Sequence, residues 1–275
     1  MTMPATAAPS SSSSIASAHA GPRGRITAIT SGKGGVGKTF LSANLAAALA
    51  ARGEHVLVLD ADLGLANLDV VLNLEPKLTL HDVFTARCTL DQAILAAPGG
   101  FSVLLAGSGL VEYSRLTPDL REQLERVIRT VAPRFDRILL DTGAGISDVV
   151  LYAVSLADEV LVLATPEPTS MTDAYATIKV LATQQQRRAI RLVVNQVSQA
   201  GEGRAIRNQL QLVVDRFVMP QVEALDDPVR LDFLGEIPTD ANVRDTVQKR
   251  RLLLDAMPGT AAAQAIVRVA ERLAG

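Results

Sequence analysis

Residues 31 to 39 read Ser31-Gly32-Lys33-Gly34-Gly35-Val36-Gly37-Lys38-Thr39. Gly32, Gly37, Lys38 and Thr39 satisfy the spacing G-x-x-x-x-G-K-[ST], a loop whose backbone amides cradle phosphate. Each residue type has a reason to be there. The glycines allow backbone conformations that a Cβ would forbid, so that successive N–H groups curl round an anion. The helix that follows points its N-terminus at the same charge. Lys38 brings a positive charge to the outer phosphates, and the Thr39 hydroxyl is a ligand for Mg²⁺. The flanks agree. Arg25 to Thr30 reads as a buried strand, and Phe40 to Arg52 as an Ala/Leu-rich helix ending at Gly53. Strand, glycine loop and helix form the context in which the motif carries phosphate chemistry.

Beyond this unit, strand and helix patterns alternate. Strands are predicted at His55–Ala61, Phe101–Ala106, Phe135–Asp141, Val160–Ala164, Arg191–Val197 and Leu231–Ile237. Helices are predicted at Leu78–Phe84, Leu90–Ala97, Pro118–Val131, Ser147–Ala157, Thr169–Gln185, Glu202–Phe217, Asn242–Arg251 and Thr260–Leu273. Pro118 sits where a helix tolerates a missing N–H, Ser147 reads as an N-cap, and Ser170 to Asp173 as a capping box. Alternation of this kind predicts an α/β fold, a mostly parallel twisted sheet with helices on both faces. Residues 24–275 show no internal linker and read as one domain. Residues 1–23, with Pro4, Pro9 and the run Ser10 to Ser14, read as a disordered low-complexity tail.

A parallel sheet gathers its ligands at the C-terminal ends of its strands. Three carboxylates are expected there. Asp60 and Asp62 close the second strand, and Asp141 closes Arg137-Ile-Leu-Leu-Asp. An apolar run ending in Asp beside a phosphate loop is the pattern of a residue that holds Mg²⁺ through water.

Composition narrows the classes. Of 275 residues 48% are hydrophobic and 3% aromatic, so the core is built of Leu, Val, Ile and Ala. With 27 Lys plus Arg against 29 Asp plus Glu, the net charge of −2 gives no global attraction to nucleic acid or anionic lipid. One cysteine, Cys88, excludes an intrachain disulfide and a cysteine-cluster metal site. His19, His55 and His81 have no metal-ligand spacing, and Ser108, Ser114 and Ser147 have no partners of a nucleophile. No apolar run approaches the ~20 residues of a membrane span. Arg187-Arg188 and Lys249-Arg250-Arg251 read as solvated helix ends, which argues against direct DNA binding.

A lysine directly after the first glycine is not required by the general motif. With Lys33, the run Lys33 to Thr39 resembles the deviant phosphate loop of the MinD/ParA family of P-loop NTPases. Asp60-Ala-Asp-Leu-Gly-Leu-Ala-Asn-Leu-Asp69 and Asp141-Thr-Gly-Ala-Gly-Ile-Ser147 resemble that family's two switch segments. Glu167-Pro-Thr-Ser-Met-Thr-Asp-Ala-Tyr175, Gly235-Glu-Ile-Pro-Thr-Asp240 and Val247-Gln-Lys-Arg250 are similar to its FlhG/FleN (YlxH) branch, which regulates flagellar number and placement.

The resemblance implies a cytoplasmic ATPase, polar or peripheral at the inner membrane face, that dimerises with ATP and releases ADP and phosphate. Gly32, Lys33, Gly34, Gly35, Val36, Gly37, Lys38, Thr39 and Phe40 would surround the phosphates. Thr39, Asp60 and Asp141 would hold Mg²⁺. Lys33 would reach the nucleotide of a partner subunit, and Asp62 would orient or deprotonate the attacking water. Asn195 matches an adenine-contacting asparagine, with Pro238 to Asp240 closing the base pocket. The implied binders are a flagellar transcriptional activator, switch-complex components and a partner GTPase. Residues 1–23 contain no Gln, whereas a Gln-bearing N-terminal helix is what stimulates that GTPase elsewhere in the branch.

Ile266, Val269, Ala270 and Leu273 form an apolar stripe at helical spacing. It is expected to dock on the core, with weak reversible membrane contact as the alternative. Division-site and partition ATPases of the same family remain alternatives, as does a non-catalytic ATP-binding scaffold. A ligase would need a further substrate pocket or domain, and an iron–sulfur reductase would need paired cysteines.

Overall fold

The computed structural model describes residues 23–64, 67–107, 113, 115–222 and 227–275. The expected tail before Arg23, with His19, lies outside the described residues, as do Leu65, Ala66, Ser108 and Ser114. The first half runs β1 (Arg25–Ser31), α1 (Lys38–Ala50), β2 (Val56–Ala61), α2 (Leu68–Leu72), α3 (Leu80–Phe84), α4 (Leu90–Ala93), β3 (Ile94–Ala96), β4 (Ser102–Leu104), α5 (Pro118–Val131) and β5 (Arg137–Ala144). The second runs α6 (Asp148–Ser155), β6 (Glu159–Ala164), α7 (Pro168–Gln184), β7 (Ala189–Val197), α8 (Glu202–Phe217), β8 (Arg230–Pro238), α9 (Ala241–Gln248), α10 (Leu253–Ala256) and α11 (Ala261–Ala274).

The eight strands form one sheet in the order β3-β4-β2-β5-β1-β6-β7-β8. Every pairing is parallel except β3 with β4. The strand period of two sorts side chains to two faces. Ile26, Leu57, Leu59, Ile138, Leu140, Val160 and Val162 join a core with α5, α6, α7 and α8. Ile29, Val56, Val58, Leu139, Leu161 and Leu163 join a second core with α1, α10 and α11. Helix α1 packs against the sheet and against α11, which lies beside it on the same face over β8, and this explains its all-round apolar composition. Ile266, Val269, Ala270 and Leu273 of α11 are buried against it. Burying a side chain of this kind stabilises by roughly 1.5–3 kcal/mol, so the stripe is occupied by the protein's own core. No helix among the described residues is long and apolar enough to cross a membrane.

Four readings are corrected. Leu90–Ala97 is not one helix: α4 stops at Ala93, and Ile94–Ala96 pair antiparallel with Ser102–Leu104. The helix is only one turn, held by a box in which Thr89 and Gln92 cap each other, so strand pairing takes the chain as soon as a neighbour is available. Helix α7 starts at Pro168, before the expected box. Ser170 instead accepts from Thr165 N–H at 3.0 Å, within the loop that leads into the helix. Arg187 is not a free helix end. It donates to the carbonyls of Val154, Ala157 and Asp158, closing the C-terminus of α6. Arg23, grouped with the tail, pairs with Asp158 at 2.6 Å.

The end of the sheet opposite the glycine loop is tied by charge. Arg137, 5% exposed at its side chain, meets Glu54 at 2.9 Å and Glu159 at 3.2 Å, and Arg191 reaches Glu159 at 2.5 Å. The outer edge of β8 is also covered. Gln211 accepts from Leu231 N–H and donates to Val229 O, Arg207 donates to Leu231 O, and Arg272 donates to Leu234 O.

Candidate nucleotide and cation site

The glycine loop joins β1 to α1 at the C-terminal edge of the sheet, next to the ends of β2 and β5. Its shape follows from where side chains cannot fit. Gly37 has φ 97°, and a Cβ there would lie 2.7 Å from Asn195 Nδ2. At Gly32 a Cβ would lie 2.1 Å from the backbone oxygen of Asp173 on α7. A cavity of about 820 Å³ opens over the loop. Gly34, Gly35, Gly37, Lys38, Thr39, Phe40, Asp62 and Gly143 are among its described lining residues. Val36 is buried with the core of α1.

Lys38 Nζ donates to Ser31 Oγ at 2.9 Å, and Ser31 Oγ in turn donates to Lys33 O at 2.7 Å. Burial holds the Lys38 ammonium below its ordinary pKa, while Asp141 and Asp62 pull the other way. Asp60 and Asp141 are register partners on neighbouring strands. Asp60 Oδ1 accepts from Asp62 N–H at 3.2 Å, whereas its Oδ2 is buried without a hydrogen-bond partner. Burial, reinforced by Asp141, raises the Asp60 carboxyl well above the usual range. Burial also raises Asp141, to about 6, although the Thr39 and Ser42 hydroxyls bond to it; Ser42 Oγ lies at 2.9 Å.

A buried, orphaned carboxylate oxygen beside a second carboxylate and a Thr hydroxyl fits Mg²⁺, which takes one or two carboxylates and completes its shell with water and phosphate. Thr39, Asp60 and Asp141 would hold the ion. When bound, it would neutralise charge on the phosphates. Among the described residues no group of three His, Cys, Asp or Glu side chains forms a cage of its own.

Without the cation, Asp141 carries a cost with a definite sign. Its folded pKa, about 6, exceeds the ordinary value of 3.8, so the folded state holds the proton more tightly. Stability therefore falls as pH rises from about 4 through 6, by about 3 kcal/mol at 1.36 kcal/mol per unit. Asp141→Asn in EDTA is expected to melt higher than wild type at pH 8 and to lose that advantage towards pH 4. An equal melting temperature at pH 8 would refute the assignment.

The remaining expected residues fall in three places. Lys33 turns away from the loop's own cavity: its Nζ donates to Glu167 Oε2 at 2.6 Å and Thr169 Oγ1 at 3.0 Å, at the start of α7. Asn195 lies against the loop but outside the described cavity lining, and its side chain is already engaged there. Pro238 closes β8, and Asp240 accepts from Asn242 N–H and Ala262 N–H. The Asp240 carboxylate thus caps α9 and holds the start of α11.

Sequence reasoning missed Ser31, Ser42, Glu167 and Thr169 as partners. Ser42 had a signal, since it lies three residues after Thr39 on one helix face. The contacts of Ser31 and of Glu167 with Thr169 depend on loop curvature and on long-range packing, and neither has a local signature.

Comparison with known proteins agrees with this geometry. The family described as ParA, NUBPL iron-transfer P-loop NTPase, matches residues 24–274. The antiactivator FleN of Pseudomonas aeruginosa is 42% identical over 249 residues, covering 90% of this chain and 86% of that protein. The flagellum site-determining protein YlxH of Helicobacter pylori is 32% identical over 248 residues, covering 90% and 80%. The solved structure of the septum site-determining protein MinD from Pyrococcus horikoshii, complexed with Mg-ADP, superposes with a TM-score of 0.72 at 27% identity, covering 90% and 95%.

Proposed function

Because this chain belongs to the ParA family of P-loop NTPases, we propose that it is an ATP-dependent dimerising switch that hydrolyses ATP with Mg²⁺ and regulates flagellar number and placement. The observation that carries the chemistry is that Lys38, Thr39 and Asp62 line one glycine-lined cavity, with Asp60 and Asp141 buried against them. Phosphoryl transfer asks for positioning and charge neutralisation, and this set supplies both. Lys38 and the loop amides bind the outer phosphates. Asp60 and Asp141 orient the metal's water shell, and Asp62 directs the attacking water. Residues 24–275 act as the single catalytic unit, working in the cytoplasm at a pole or membrane face.

Lys33 makes turnover depend on a second copy. In one chain it is held by Glu167 and Thr169, so its charge becomes available to a partner's phosphates only when that contact opens. Exposed ion pairs of this kind contribute about 0–1 kcal/mol, weak enough to exchange for a triphosphate. Turnover per subunit is therefore expected to rise with protein concentration. Lys33→Gln should still bind ATP but lose about tenfold in turnover and its concentration dependence, the scale of one charge-assisted contact. Sedimentation with Mg-ATP tests the same point: a wild-type chain that stays monomeric at full occupancy would overturn the proposal.

By similarity to FleN and YlxH, the partners are a flagellar transcriptional activator, switch-complex components and a partner GTPase. Likeness to a septum site-determining protein favours a division-site role as the second reading. Deleting the gene and counting flagella per cell separates them. An increase supports the flagellar reading, and a shifted septum with unchanged flagella supports the other.

A further inference from the structure

Two polar side chains, Ser42 and Asn44, are buried at 0% exposure in the Ala/Leu-rich middle of α1. Asn44 has a packing role. It donates to Phe40 O at 2.9 Å and accepts from Leu254 N–H at 3.2 Å, which ties α1 to α10. Ser42 has a different target. Serine is a poorer helix former than alanine, because its hydroxyl competes for nearby backbone groups. Here the hydroxyl leaves its own helix and donates to Asp141 Oδ1 on β5 at 2.9 Å.

Asp141 is 2% exposed, and register with Ile29 on one side and Asp60 on the other fixes its backbone. The carboxyl can then turn only about its own side-chain bonds. Two hydroxyls of one helix face, Thr39 and Ser42, restrain that turn. Their positions differ. Thr39 lines the cavity and is a ligand for the cation in the reading above, whereas Ser42 is not among the cavity's described lining residues. Donors behind a metal's carboxylates orient them and raise affinity for the ion.

We propose that Ser42 is a positioning residue for the cation, locking the rotation of the Asp141 carboxyl so that it meets the ion in one fixed orientation. Ser42 itself touches neither ion nor nucleotide. The proposal rests on the nucleotide and cation reading above, and the experiment keeps the two apart. Full-length wild type, Ser42→Ala and Ser42→Cys are compared in two titrations at pH 8. ADP affinity is measured by calorimetry in EDTA. Mn²⁺, which takes the same octahedral oxygen shell as Mg²⁺, is then added to ADP with protein in excess, and free Mn²⁺ is counted by electron paramagnetic resonance.

Ser42→Ala is expected to bind Mn²⁺ about tenfold more weakly, the lower end for losing a donor behind a metal ligand. Its ADP affinity in EDTA should equal that of wild type, a separation that a packing role would not produce. Ser42→Cys keeps the shape with a weak donor, so it should fall between the two, and it serves as the comparison if Ser42→Ala does not fold. Wild-type Mn²⁺ affinity in Ser42→Ala, or an equal loss of ADP in EDTA and of Mn²⁺, would overturn the proposal alone. A wild type that binds ADP but no Mn²⁺ would overturn the cation reading with it, and one that binds no ADP would overturn the nucleotide reading as well.

Discussion

Asp62→Ala is expected to lower ATP turnover by about 10²–10⁴-fold, the range for losing a positioned general base or water-orienting group. Mg-ATP affinity should stay within a few-fold, because the loop amides, Lys38 and Thr39 remain. Asp62 lines the cavity, and its Oδ1 lies 3.3 Å from where a Cβ on Gly143 would stand. It thus sits between the ends of β2 and β5, within the cavity proposed to take the nucleotide. Single-turnover measurement with quenched samples separates the chemical step from product release. Equal rates for wild type and variant would remove Asp62 from the mechanism and favour an ATP-binding scaffold.

Arg137→Ala is expected to destabilise the fold by about 3–5 kcal/mol, because removing one partner of a buried ion pair leaves the other charge uncompensated. Here two carboxylates are left, Glu54 and Glu159, of which Glu159 is 13% exposed at its side chain. Arg191 and Arg25 still face Glu159, at 2.5 and 3.9 Å, so the loss should fall near the lower end. Urea unfolding followed by circular dichroism reads this directly. A change below about 1 kcal/mol would mean that the cluster is solvated rather than structural. Arg137→Lys should recover only part of the loss, since an ammonium cannot reproduce the two-pronged contact.

Much of this architecture was readable before any coordinates. The strand–loop–helix unit of β1 and α1 is legible because glycine spacing and apolar runs are local signals. Asp60 and Asp141 were placed for the same reason: each closes an apolar run, and parallel register brings run-ends together. What could not be read depended on distant partners. Ile94–Ala96 becomes a strand only because Ser102–Leu104 lies alongside. α2 and α10 are too short for hydrophobic periodicity to register. The resting place of Lys33 needs α7 to be packed beside the loop, and the engagement of Asn195 with Val36 needs residues 159 positions apart in the chain to meet.

The sheathing of β8 by Gln211, Arg207 and Arg272 has a consequence for how copies of this chain can associate. An uncovered outer strand is a template on which foreign strands polymerise. With those backbone groups already spoken for, strand addition along that stretch of β8 is disfavoured. In the proposed switch, a face-to-face pair would consume the loop-bearing surface of both copies, so that association would close at two.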